Sequence, residues 1–246
     1  MQEAAAVFVA KANAASLGQR YAVVSSSSLD GKRDQNSLIL LCKQYFDVGS
    51  VREHTAEVMA TFDKATPVAN GDLLVISAVD VFGRRYLLAS FHGDTNGLAT
   101  LPVLAAVHAL AQQMPSHRLV FGLDANTYAN TDGTGSKQGV VEFGQDFVSK
   151  GYSSCWGDAP DPSNHTTFNA RTFLQPQLQK AAKSTEKASK GDKNPKDFIL
   201  FPRATYSVVV TTKDNTGRRR YTEDMVFPTL QFPSDHGLVA TVLHEV

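Results

Sequence analysis

Arg118-Leu119-Val120-Phe121-Gly122-Leu123-Asp124-Ala125-Asn126-Thr127-Tyr128 is the stretch on which the reading of this chain turns. It opens as an apolar run that fits a buried strand and then breaks, at its carboxyl end, into Asp124-Ala125-Asn126. The period-2 geometry of a strand puts Asp124 and Asn126 on one face, so a carboxylate and an amide point together beyond the strand end. Two hard oxygen ligands side by side suit a magnesium ion, or a phosphate held through one. Asp and Asn also favour turns, so the remainder of the chain has to decide between a turn and a site.

Outward from that strand, the same logic finds more elements. Leu73 to Val79 and Arg85 to Phe91 read as a strand pair joined at Phe82-Gly83. A helix follows, with Val103, Val107, Leu110 and Met114 at helical spacing, Thr100 as its cap and Pro102 in its first turn. Tyr21 to Ser28 and Ser37 to Lys43 are predicted as two strands around a turn at Asp30-Gly31. Val140 to Lys150 is predicted as a helix, and residues 152–170 read as loop. Asp197 to Phe201 and Leu238 to Leu243 are predicted strands, and Tyr206 to Thr212 is expected to pair with Arg219 to Thr222. Strands interspersed with a few helices indicate a layered α/β protein, and the hairpin signals imply a mixed sheet.

Composition excludes several function classes. The 246 residues are 42% hydrophobic and 20% charged with zero formal charge, so no global field draws in nucleic acid or membrane, and any basic attraction is local. No apolar run is long enough to span a bilayer. Two cysteines, Cys42 and Cys155, argue against a disulfide framework and for a reducing compartment, the cytoplasm or nucleus. One domain over 1–246 is expected, with a Lys-rich mobile insertion at 180–196. The basic runs Lys180 to Lys196 and Arg218 to Arg220 read either as solvated surface or as contacts to a phosphate backbone. Trp156, Phe168 and Phe173 could stack on a base or pack in the core.

Polar groups recur where strands end, the position at which open α/β sheets place ligands. Glu3 stands in Met1-Gln2-Glu3-Ala4, His92 follows Arg85 to Phe91, Asp197 opens Asp197-Phe198-Ile199-Leu200, and Ser234-Asp235-His236 precedes the last strand. In that order the chain resembles the endonuclease/exonuclease/phosphatase superfamily, the deoxyribonuclease I-like fold. Met1-Gln2-Glu3 resembles its "LQE" strand end, His92 its "TH", Gly122-Leu123-Asp124-Ala125-Asn126 its "GDFN", and Asp197-Phe198-Ile199 its "DYI". Ser234-Asp235-His236 is its "SDH", and Gly31-Lys32-Arg33-Asp34 is similar to the segment after the glutamate. Phe232-Pro233-Ser234-Asp235-His236 looks like the "FPSDH" of the deadenylase and nocturnin branch.

The resemblance implies a four-layer α/β sandwich: two stacked mixed β-sheets flanked by helices. It implies Mg2+, with Mn2+ as an alternative, bound by Glu3 and Asp235. It implies catalytic roles for His92, Asp124, Asn126, Asp197 and His236, and substrate contacts from Asn96 and Arg33. The implied reaction is hydrolysis of a phosphodiester by a monomer, most simply an RNA nuclease, RNA being favoured over DNA. The alternatives are a phosphatase acting on a nucleotide or inositol phosphate, and an impaired member that only binds. Two departures stand out. The family's early strand ending in Asn, usually within "WN", is missing from this sequence, which is expected to lack the first strand and helix of the fold. Gly122-Leu123-Asp124-Ala125-Asn126 also carries an extra Leu123. Gly93-Asp94-Thr95-Asn96 matches a "GDTN" variant of the same motif, but the family order of histidine, helix, strand and then D-x-N selects Asp124 and Asn126.

Overall fold

The computed structural model describes residues 17–29, 36–169 and 192–246. The chain falls into two compact units. The first is Met1–Ala125 with Leu200–Pro202, and the second is Asn126–Ile199 with Arg203–Val246.

In the first unit, β1 (Tyr21–Ser25) and β2 (Leu38–Cys42) pair antiparallel from Tyr21↔Cys42 to Ser25↔Leu38, as the sequence predicts. β3 (Phe46–Glu53) was not foreseen. Its pairing with β4 (Leu73–Asp80) jumps register between Asp47 and Arg52, where Asp47 Oδ1 accepts the Gly49 N–H and the Ser50 hydroxyl accepts the Val79 N–H. An irregular strand of this kind carries no clean alternation for a sequence reading to detect. β4 continues into β5 (Arg85–His92) through a turn in which Asp80 Oδ1 accepts the N–H groups of Phe82 and Arg84. β4 buries Leu73, Leu74, Val75 and Ile76 completely, as a strand covered on both faces must.

The helix Thr100–Gln113 then carries the chain to β6 (His117–Asp124), which lies parallel to β5, so the sheet is mixed. Val103, Leu104, Val107 and Leu110 of the helix are buried, as are Leu119, Phe121 and Leu123 of β6. The order in this unit is β3-β4-β5-β6, followed by the end of the strand Asp197–Pro202.

In the second unit, the helix Val140–Ser149 buries Phe143 and Phe147. Within the stretch expected to be loop, β7 (Tyr152–Ser154) and β8 (Thr167–Asn169) form. β8 pairs antiparallel with β9 (Asp192–Asn194). The last residues of the expected mobile insertion are therefore ordered, whereas 180–191 lie outside the described residues. β7 borders β10 (Asp197–Pro202), whose Phe198 ring meets Phe143 edge-on at 5.1 Å.

β11 (Tyr206–Asp214) does not pair with Arg219–Thr222. Its partner is β12 (Leu238–Glu245), from Tyr206↔Glu245 to Asp214↔Leu238. The reason lies in Asp214, whose Oδ1 accepts the N–H groups of Thr216 and Gly217 and whose Oδ2 accepts that of Arg219. Coiled around one carboxylate, with Arg219 at φ +57, this segment cannot extend. No helix among the described residues is long and apolar enough to cross a membrane.

Candidate active site

Parallel pairing of β5 and β6 ends in the register His92↔Asp124, so both side chains emerge at the carboxyl end of the same two strands. His92 Nε2 lies 3.4 Å from Asp124 Oδ2, with the carboxylate 9% exposed and the imidazole 37%. The backbone beyond the strand ends is tied down by two bonds. Gly93 N–H donates to the Asp124 carbonyl at 2.9 Å, and the Thr100 hydroxyl donates to the Ala125 carbonyl at 2.7 Å. A Cβ on Gly93 would stand 3.1 Å from that Asp124 carbonyl oxygen, so glycine permits the approach. Asp94 is engaged locally, accepting the N–H groups of Asn96 and Ala99. Asn96 is exposed in this loop.

The strand alternation that aligned Asn126 with Asp124 stops at Asp124. Asn126 has φ +46 and is 4% exposed, so its direction is set by the turn rather than by the strand period. Its Oδ1 accepts a hydrogen bond from Lys196 Nζ at 2.7 Å. Lys196, expected to be mobile or solvated, is 7% exposed, with Nζ 5.1 Å from the centre of the Tyr128 ring. Sequence reasoning passed over it because it closes a lysine-rich run whose other members gave no reason to single one out.

Asp197 opens β10, where its N–H and that of Lys196 both donate to the Thr166 hydroxyl. Both Asp197 carboxylate oxygens stand 3.0 Å from His236 Nδ1. Because a carboxylate only accepts, that geometry assigns a proton to Nδ1, and in the neutral ring Nε2 is then the acceptor nitrogen. The histidine's own backbone is fixed by its motif, since His236 N–H donates to the Ser234 hydroxyl. The next residue, Gly237, donates to the Thr166 carbonyl at 2.7 Å. Trp156, a candidate for base stacking, donates its indole N–H to the Asp197 carbonyl at 2.8 Å and so braces the pair. Phe168 lies half-buried beneath Lys193, and Phe173 lies outside the described residues.

Burial shifts several titratable groups of the second unit. Burial pushes the Cys155 thiol up to about 12, and its sulfur accepts the Ile199 N–H. Burial, with Glu223 and Asp224 adding to it, pushes Tyr221 up to about 12 and keeps it a neutral donor to the His165 carbonyl. Burial lowers His165, and the nearby Lys193 and Lys213 lower it further. Both cysteines are free thiols.

The structure thus brings together His92 with Asp124 in one unit, and Asp197 with His236 in the other. Asp235 is half-buried beside His236 and joins neither pair. Glu3 and Arg33, with the segments that carry them, lie outside the described residues.

No family profile matches the sequence, and no curated protein does. Solved structures are similar to it throughout. The human nocturnin catalytic domain with bound sulfate aligns at TM-score 0.54 and 13% identity, over 94% of this chain and 74% of its own. An endonuclease/exonuclease/phosphatase from Bacteroides vulgatus aligns at 0.53 and 13%, over 93% and 77%. TDP2 of D. rerio, complexed with a single-strand DNA product, aligns at 0.52 and 12%, over 97% and 82%. The fold is that of the endonuclease/exonuclease/phosphatase proteins. In this endonuclease/exonuclease/phosphatase fold the mixed β3-β4-β5-β6 order and the parallel β5–β6 step are what deliver His92 and Asp124 to one strand edge.

Proposed function

We propose that the chain is a divalent-metal-dependent phosphodiesterase that cleaves RNA, with His92, Asp124, Asn126, Asp197 and His236 as its catalytic residues. The observation that carries this reading is the Asp197–His236 pair, in which both carboxylate oxygens face a single imidazole nitrogen at 3.0 Å. A bound sulfate on the nocturnin domain and a single-strand DNA product on TDP2 support a nucleic-acid phosphate as the substrate class. The Phe232-Pro233-Ser234-Asp235-His236 run supports the nocturnin branch and hence RNA.

A phosphodiester repels an anionic nucleophile, so the site must neutralise charge, activate water and steady the leaving oxygen. Asp197 fixes the His236 tautomer, so His236 Nε2 can take or return a proton. Asp124 orients or deprotonates the attacking water. Asn126 donates to a phosphate oxygen, and His92 donates to the developing charge. The donors assigned to the metal, Glu3 and Asp235, are hard carboxylates of the kind Mg2+ takes, with Mn2+ as a substitute. The one cysteine in the second unit offers no competing thiolate, because its thiol is pushed up to about 12. When bound, the ion would supply charge neutralisation at a nonbridging phosphate oxygen.

A hollow of about 370 Å³ lined by Arg218, Arg220, Thr222 and Met225 gives the basic segment a concave surface suited to a phosphate backbone. Substrate contacts from Asn96 and Arg33 belong to the same reading. The test is a panel of one RNA oligonucleotide, one DNA oligonucleotide, one nucleotide phosphate and one inositol phosphate, each with and without Mg2+. Turnover is expected on RNA foremost, falling with added salt as released counterions require. Hydrolysis confined to the nucleotide or inositol phosphate would transfer the site to phosphatase chemistry, and no turnover of any substrate would remove the reading.

A further inference from the structure

We propose that Lys196 is a positioning residue that fixes which end of the Asn126 amide serves the substrate, an inference that rests on the phosphodiesterase reading. An amide can present either an acceptor or two donors, and its two orientations have nearly the same shape. Phosphate needs the donors. Lysine carries three donors and no acceptor, so Lys196 Nζ, 2.7 Å from Asn126 Oδ1, accepts only the orientation with oxygen toward itself. The NH2 end is then directed away from the lysine, and the ammonium polarises the amide so that its N–H bonds donate more strongly.

The arrangement is built rather than incidental. Lys196 is 7% and Asn126 4% exposed, and a buried ammonium is tolerated only where partners compensate it. The Tyr128 ring faces Nζ at 5.1 Å, and the Lys196 N–H is held by the Thr166 hydroxyl at 2.9 Å. Asn126 itself sits at φ +46, a backbone conformation that an asparagine enters more readily than most residues. The adjoining Thr127 hydroxyl donates to the Pro195 carbonyl, which locks the two segments together one residue from each member of the pair.

The experiment is a double-mutant cycle on the full chain, using the substrate that the wild type turns over, with Lys196→Met, Asn126→Ala and the double variant. Lys196→Met is expected to lower kcat and kcat/KM alike by about 10–100-fold, the range for groups that orient a catalytic residue. In the Asn126→Ala background the same change should cost little further. An unchanged Lys196→Met, or losses that multiply in the double variant, would overturn the proposal. Should Lys196→Met fail to fold, Lys196→Gln keeps donors but loses the charge and gains an acceptor, and its smaller loss must vanish in the Asn126→Ala background or the proposal is overturned.

A readout independent of turnover is the NMR signal of the Asn126 side-chain NH2 during titration with inorganic phosphate. It is expected to move in the wild type and to move less in Lys196→Gln; no movement in the wild type, or equal movement in both, contradicts the assignment. A wild type that cleaves nothing but shows this shift would sink the phosphodiesterase reading alone. An active wild type with a multiplicative cycle would sink the role of Lys196 alone.

Discussion

Single carboxylates do different jobs in this chain, and their partners decide which. Asp197 faces the His236 imidazole, whereas Asp214 accepts four hydrogen bonds from its own loop and is architectural. Burial alone would raise Asp214, but the N–H groups of Thr216, Arg219 and Gly217 outweigh it and hold the carboxyl at about 2, against an ordinary 3.8. A depressed folded value means that the unfolded chain binds more protons in between. The stabilisation is thus complete above about pH 4 and is lost as pH falls toward 2. Urea unfolding of wild type and Asp214→Asn across that window should give a steep acid loss in the wild type and a flatter one in the variant. The variant should also be the less stable of the two at neutral pH. Parallel curves would show that the carboxylate is not what holds the loop.

At the level of elements, long apolar segments were legible from the sequence and short polar ones were not. β4, β5, β6 and the helices Thr100–Gln113 and Val140–Ser149 stand where periodicity placed them, because each buries a continuous apolar stripe. β3, β8 and β9 escaped notice because Gly, Asp, Asn and Lys within them read as loop, and only pairing with a neighbour makes them strands. The partner of β11 was misread because a Gly-containing turn lay close by, while its true partner lay more than twenty residues further on. The site showed the same division: His92, Asp124, Asp197 and His236 were visible as strand-end residues, but Lys196 acquires meaning only from burial against Asn126. The element that positions Asp124 should tolerate little loss of packing. Phe121 is fully buried in β6, so Phe121→Ala is expected to cost about 3–5 kcal/mol, read as a lower urea midpoint at unchanged slope. A shift no larger than that of a surface substitution would show that β6 is not seated as described.

For the molecule as a whole, the proposed chemistry requires both the His92–Asp124 pair and the Asp197–His236 pair for turnover. With zero formal charge on the chain, any attraction to an anionic substrate has to come from local basic features. The decisive measurement is Mg2+-dependent hydrolysis of an RNA oligonucleotide by the wild type, Asp124→Asn, His236→Ala and the double variant, with folding checked by thermal melts. Each single variant should lose at least about 10²-fold in kcat, and the double should be little worse than the poorer single, as groups acting in one step behave. Near-normal turnover in either folded single variant would contradict the claim.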